Sequence, residues 1–196
     1  MRAQRGLVLL VAVVASVALA LVAVSVVRAV ATGVAVGGNI DARRQAAFAA
    51  SAALEQDVAT LFESGLIDPE NDDAGHNYFA ARQPGEDERG VPVVLQARAN
   101  YPAGFGVVDA GDGYVARHVI ERLCRLPGEA SLGNCTLSPP SVAAASGMAP
   151  PSEPPRLPAY RLTIRVDGPA ASGTFVQAML SAAHPNVRLS WRVMDE

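Results

Sequence analysis

The chain has 196 residues, half of them apolar but only 5% aromatic, and a net charge of −3 from 16 basic and 19 acidic residues. That length allows one globular domain and an anchoring segment, and little else. Charges of both signs are mixed after the first 28 residues, so there is neither the basic face of a nucleic-acid binder nor a like-charged interaction tail.

The sequence opens MRAQRG and continues LVLLVAVVASVALALVAVSVV with no charge before Arg28. Residues 7–27 would make about 31 Å of helix, close to the hydrocarbon thickness of a bilayer. Arg2 and Arg5 precede the run, which by the positive-inside tendency predicts a cytoplasmic N-terminus and an exported remainder. Arg28, Arg43 and Arg44 weigh the other way, although Arg28 can snorkel to the interface. Ala29-Val30-Ala31 has the form of a signal-peptidase site. The apolar run, however, exceeds the 7–15 residues of a signal core, and Arg28 lies inside the cleavage region, so a retained anchor is expected. Ala12, Ala15, Ser16, Ala18, Ala20 and Ser25 either permit close helix approach or simply fill an Ala-rich anchor.

Gly33, Gly37 and Gly38 each weaken a helix by about 1 kcal/mol relative to alanine, which predicts a loosened or bent section. Beyond them, IDARRQAAFAASAALEQDVATLFESG resumes helical periodicity, and with the membrane segment it is expected to form one nearly continuous rod loosened at the glycines. Ile40, Ala47, Leu54 and Leu61 recur every seven residues, with Phe48, Val58 and Phe62 beside them. Ile40, Phe48, Leu54 and Leu61 are therefore the expected packing residues of an amphipathic helix that covers a sheet. Asp41, Arg43, Arg44, Gln45, Glu55 and Asp57 are expected mostly on its other sides. Ser64-Gly65 is the expected stop.

Residues 68–90 are polar and rich in turn formers. Asp68, Glu70, Asp72 and Asp73 do not follow the EF-hand spacing, so a solvated acidic loop is expected there. VPVVLQARANY and GYVARHVIERLCRL read as strands. The clearest strand is YRLTIRVDG, with Tyr160, Leu162, Ile164 and Val166 on one face and Arg161, Thr163 and Arg165 on the other, the pattern of a half-buried antiparallel strand. TFVQAMLSA can pair back on it after the turn DGPAASG. Val187, Leu189, Trp191 and Val193 alternate with Arg188, Ser190 and Arg192 in a last strand. Three or four antiparallel strands with one face against the second helical half are predicted.

Cys124 and Cys135 are too widely spaced for a C-x-x-C redox motif and lack the paired histidines of a zinc site. In an exported domain they read as one small disulfide loop, the alternative being two buried free thiols. Seven of the 14 prolines fall within the insertion at 136–158. That composition predicts a surface loop or disordered spacer, or else a ligand for an aromatic-lined groove.

Catalytic chemistry is not indicated. His76, His118 and His184 are scattered, and there is no nucleophile elbow, phosphate-binding glycine loop or H-E-x-x-H. Asp109 and Asp112 read as a turn. Glu121 and Arg122 read as a cross-sheet surface contact worth about 0–1 kcal/mol. No enzyme activity, metal or cofactor is expected.

A short basic leader ending in Gly, an apolar helix with an amphipathic continuation, a small sheet and one disulfide together resemble the type IV pilin architecture. The chain is more specifically similar to the PilX-type pilus-assembly minor pilins. QRGLVLLVAVV, GGNIDARRQAAFAASAALE and YRLTIRVDGPAASGTFVQAML carry the likeness, and YVARHVIERLC adds to it.

The resemblance implies an α+β fold with a long N-terminal helix packed on a small antiparallel sheet. It divides the chain into a leader at 1–6, a transmembrane half at 7–28, an amphipathic half at 29–64 and a periplasmic head at 65–196. It implies cleavage by prepilin peptidase after Gly6, leaving Leu7 as an N-methylated terminus. Other major and minor pilins and the inner-membrane pilus assembly platform would be partners. The protein would sit in the bacterial inner membrane, with the pilus as a further location. Pilins usually carry Phe at the new terminus and Glu five residues in; here Leu7 and Val11 stand there. That departure suits a subunit present in few copies. A pseudopilin of a type II secretion system and a permanently anchored periplasmic scaffold or binding protein are the alternatives.

Overall fold

The computed structural model describes residues 3–62, 65–137, 157–169, 173–182 and 184–195, with the backbone alone for 3–7, 184–189 and 195. In chain order the elements are α1 (Ala3–Phe62), β1 (Tyr78–Phe79), α2 (Val93–Gln96), β2 (Val107–Asp109), β3 (Val115–Arg122), β4 (Ala159–Asp167), β5 (Gly173–Ser181) and β6 (His184–Asp195). Two compact units are distinguished, Met1–Arg44 and Gln45–Glu196.

The first unit consists of the N-terminal part of α1. It stays helical through Gly33, Gly37 and Gly38, within the one continuous helix that the sequence predicts. A Cβ added at any of the three would meet nothing within 4 Å. A single glycine and a glycine pair weaken a helix without ending it when the flanking turns are rich in alanine and valine.

In the second unit the sheet order is β1-β3-β4-β5-β6, with β2 paired to the free part of β3. All pairings are antiparallel except β1 with β3. The α+β layout is as expected, a long N-terminal helix packed on a mostly antiparallel sheet, here of six strands, and it is consistent with a pilin-like fold. Tyr160, Leu162, Ile164 and Val166 do share one face. They join Ala116, Ile120, Val176, Ala178 and Leu180 in a core with the second half of α1. Phe62 closes that core edge-on against Tyr160, with ring centroids 5.7 Å apart.

The opposite face is not open to water. Every residue of β4 is buried, including Arg161, Thr163 and Arg165. The segment that covers it holds VPVVLQARANY, which forms α2 and a single 3₁₀ turn at Arg98–Asn100 instead of a strand. Val91 and Leu95 from that segment pack with Val119, Phe175 and Met194. Pro92 at the head of α2 supplies no N–H for a ladder, which favours a helix start over a central strand.

Cys124 and Cys135 form the disulfide. The expected insertion begins later and ends earlier than its composition suggested, because Thr136, Leu137 and Pro158 are tied into the sheet end. Leu137 bridges Pro158, the Thr136 N–H donates to Leu123 O at 2.7 Å and the Ala159 N–H donates to Thr136 O at 3.0 Å. Residues 138–156, most of the insertion, lie outside the described residues, as does Ser64 of the expected helix stop. The acidic residues at 68–73 serve as turn caps: Asp68 Oδ1 accepts from the Glu70 N–H, Asp72 Oδ1 from the Ala80 N–H and Asp73 Oδ1 from the Gly75 N–H.

Candidate functional site

Among the described residues α1 is the one helix long and apolar enough to cross a membrane, and it lies near the N-terminus. Its valines and leucines from Val8 to Val36 are all between 51% and 71% exposed. They point in every direction around the axis, as in a helix surrounded by apolar material on all sides. The hydroxyls within this stretch are satisfied inside the helix. Ser16 Oγ donates to Ala12 O, Ser25 Oγ to Leu21 O and Thr32 Oγ1 to Arg28 O, at 2.8 to 2.9 Å. In hydrocarbon an unpaired hydroxyl would be costly, and back-bonding removes that cost. Gly6 and Leu7 lie in the first turns of the same helix.

Farther along α1, Leu54 is fully buried and Leu61 is packed against the core, as expected. Ile40 and Phe48 are not packed: they are 46% and 77% exposed. The buried face is centred on Ala46, Ala49, Ala50, Ala53 and Asp57. Phe48 lies nine residues before Asp57, which at 100° per residue is about half a turn out of phase. Ile40 sits about 100° to the side of that centre and precedes Ala46, the first buried residue. Small side chains, not the largest apolar ones, mark the contact because they let helix and sheet backbones approach closely.

Asp57 itself was expected on a solvent-facing side and is only 4% exposed. Its Oδ1 lies 3.2 Å from Nε2 of His118, which projects from β3. Burial pushes the Asp57 carboxyl up to about 8 and the His118 imidazole down to about 4. The distance suits an ion pair, whereas both shifts favour neutral groups. Asn77 decides between them. Its Oδ1 accepts from the Gly106 N–H at 2.7 Å, which turns its Nδ2 toward His118 Nε2 at 2.8 Å. Nε2 then accepts from Asn77, so the proton of a neutral His118 sits on Nδ1, and the close Oδ1 of Asp57 faces a ring lone pair, which favours the protonated carboxyl. His118 Nδ1 and Asp57 Oδ2 are both buried without a hydrogen-bond partner. Tyr101 completes the cluster, receiving a hydrogen bond from Asn77 and donating one to His118 O at 2.7 Å.

Glu121 and Arg122 are not surface residues: they are 0% and 1% exposed. Glu121 Oε2 accepts from Arg161 Nε and Nη2 at 2.9 and 2.7 Å, and its Oε1 accepts from the Gln83 N–H at 2.8 Å. Burial raises its pKa and Arg161 opposes the rise. Glu86, held low at about 2 chiefly by Arg82, also accepts from Arg161 at 2.7 Å. Arg165 and Arg117 converge on the buried Asp167. Arg122 bonds to Pro69 O, Gly128 O and the disulfide sulfurs. No group of three or more metal-ligating side chains occurs among the described residues.

No protein-family model matches the chain, and no curated protein and no solved structure is significantly similar to it.

Proposed function

We propose that the protein is a membrane-inserted minor pilin, which helps initiate or assemble type IV pili by packing its N-terminal helix with those of other pilins. One observation carries the reading, the contrast along α1. Its first part exposes apolar side chains on every side, while its last turns bury a narrow stripe in the core of the head. Such a first part is stable in lipid, and equally among other apolar helices, so one surface serves before and after extraction from the bilayer. On this reading prepilin peptidase cuts after Gly6, Leu7 becomes the mature terminus, and the assembly platform of the inner membrane receives the subunit with its head in the periplasm. Val11, where a pilin usually has Glu, restricts it to few copies because no carboxylate meets a neighbour's terminal amine.

Leu7 and Val11 also favour a second reading, a periplasmic scaffold held permanently by an uncleaved anchor. Intact-mass measurement on membrane-extracted protein separates the two. Loss of Met1 to Gly6 is the expected result. A full-length chain, or one beginning at Thr32, overturns the pilin reading. Deleting the gene is expected to reduce the number of surface pili.

A further inference from the structure

The disulfide closes a loop beyond the end of β3 and lines a cleft of about 440 Å³ together with Arg82, Arg125, Leu132 and Asn134. One cation of the cleft is unopposed: Glu86 holds Arg82 through two hydrogen bonds of 2.8 Å, whereas among the described residues no acidic side chain pairs with Arg125. The loop behind it is well braced. Asn134 exchanges two hydrogen bonds with the Leu126 backbone at 3.0 Å, and the Cys135 N–H donates to Ser131 O at 2.8 Å.

Beneath the sulfurs lies Arg122, a fully buried cation. Its Nε is 2.9 Å from Cys124 Sγ, and an Nη2 lies 3.8 Å from Cys135 Sγ. Its remaining donors go to the neutral carbonyls of Pro69 and Gly128. Among the described residues no carboxylate lies within ion-pair distance of it; Asp68 acts on its charge only from farther away, and at the disulfide itself the guanidinium meets nothing stronger than a dipole. Buried arginines ordinarily meet an anion, and a charge left without one is costly. The two sulfurs are therefore unequal. Negative charge that develops on Cys124 Sγ receives a charge-assisted hydrogen bond, while charge on Cys135 Sγ receives at most a distant one.

We infer that this cleft is a site of directed thiol–disulfide exchange, in which a small thiol bearing carboxylates attacks Cys135 and Cys124 departs as a thiolate held by Arg122. The incoming thiolate forms a bond to Cys135 Sγ as the Cys124–Cys135 bond breaks. The electron pair of that bond goes to Cys124 Sγ, and the product is a mixed disulfide on Cys135 with no net oxidation or reduction. Exchange rates follow the stability of the departing thiolate, which fixes the direction of attack. Arg125 supplies the attraction for an anionic reagent.

The test uses the full-length native protein in detergent with reduced glutathione, then acid quenching and alkylation of freed thiols. Peptide mass mapping is expected to find glutathione on Cys135 and the alkyl group on Cys124. The reverse placement, an even split, or a disulfide that glutathione does not open in the folded protein overturns the inference. R122M is expected to slow opening by roughly tenfold, the rate equivalent of one charge-assisted hydrogen bond, with R122K restoring part of it. Should R122M not fold, the adduct position in the unmodified protein still decides. R125E is expected to slow glutathione relative to uncharged 2-mercaptoethanol by roughly three- to fivefold, as for one exposed charge. An unchanged ratio overturns the preference for anionic thiols.

Discussion

The buried contact between α1 and β3 makes the stability of the head depend on pH in a way that can be calculated. The Asp57 carboxyl moves from 3.8 to about 8 on folding, and the His118 imidazole moves from 6.5 to about 4. From pH 4 to 6.5 the folded state keeps a proton on Asp57 that the unfolded chain has lost. The unfolded chain over the same range carries a proton on the histidine that the folded state lacks. The proton counts balance, and the pair contributes no slope. From 6.5 to 8 only the first difference remains, so stability falls as pH rises, by about 1.4 kcal/mol per unit and about 2 kcal/mol in all. Above 8 Asp57 ionises in both states and the slope vanishes.

D57N isolates the histidine. Its stability is expected to rise between pH 4 and 6.5 and to stay level from 6.5 to 8. The gap between variant and native protein therefore shifts by about 2 kcal/mol in favour of the variant across that last interval. Urea unfolding of the full chain in detergent, followed through Trp191 as the single tryptophan, measures both curves. A native curve that is level or rising from 6.5 to 8 refutes the reasoning. So does an imidazolium signal for His118 at pH 6 in the NMR spectrum, because an ionic pair would hold the proton on the ring.

Two further perturbations probe the packing. L54A removes a fully buried side chain and is expected to cost about 2–5 kcal/mol, whereas F48A, with Phe48 77% exposed, is expected to change stability by less than about 0.5 kcal/mol. Equal losses in urea midpoints would place the buried stripe wrongly. E121A strips Arg161 of one of its two carboxylates inside the covered sheet face and is expected to cost about 3 kcal/mol, with E121Q milder because its carbonyl can still accept from Gln83. A neutral E121A would mean that Glu86 alone compensates Arg161.

The strands were readable where a single face decides their pattern. Tyr160, Leu162, Ile164 and Val166 alternate because one side of β4 meets α1, and that side was assigned correctly. The other side was misread because Arg161, Thr163 and Arg165 look solvated in sequence. Their burial depends on carboxylates and carbonyls that come from distant segments, as Glu121 does for Arg161 and Leu95 O for Arg165. The cover itself hid behind a misleading local signal, since Val93, Val94 and Leu95 are β-branched or bulky yet form a helical turn after Pro92. The disulfide was legible from spacing, but Arg122 beneath it was not, because nothing local marks an arginine as buried. Asp57 did carry a signal: it stands at helical spacing from Ala50, Ala53 and Leu54, in phase with the small residues.

That phase relation inverts the usual design of a surface helix. An amphipathic helix ordinarily turns its largest apolar side chains to the core. In α1 the core receives Ala46, Ala49, Ala50 and Ala53, each of which removes little area from water, with Leu54 as the main anchor. Phe48, the largest apolar side chain of that stretch, faces outward among exposed Arg44, Gln45, Ala52 and Glu55. Burying a phenylalanine is worth about 1.5–3 kcal/mol, so a lone molecule in water forgoes that gain. A neighbour that lays its own helix along the mixed face would recover it, with the charges around Phe48 setting which neighbours fit. The outward phenylalanine thus extends into the head-bearing half of α1 the same demand for apolar company that the valines make from Val8 onward.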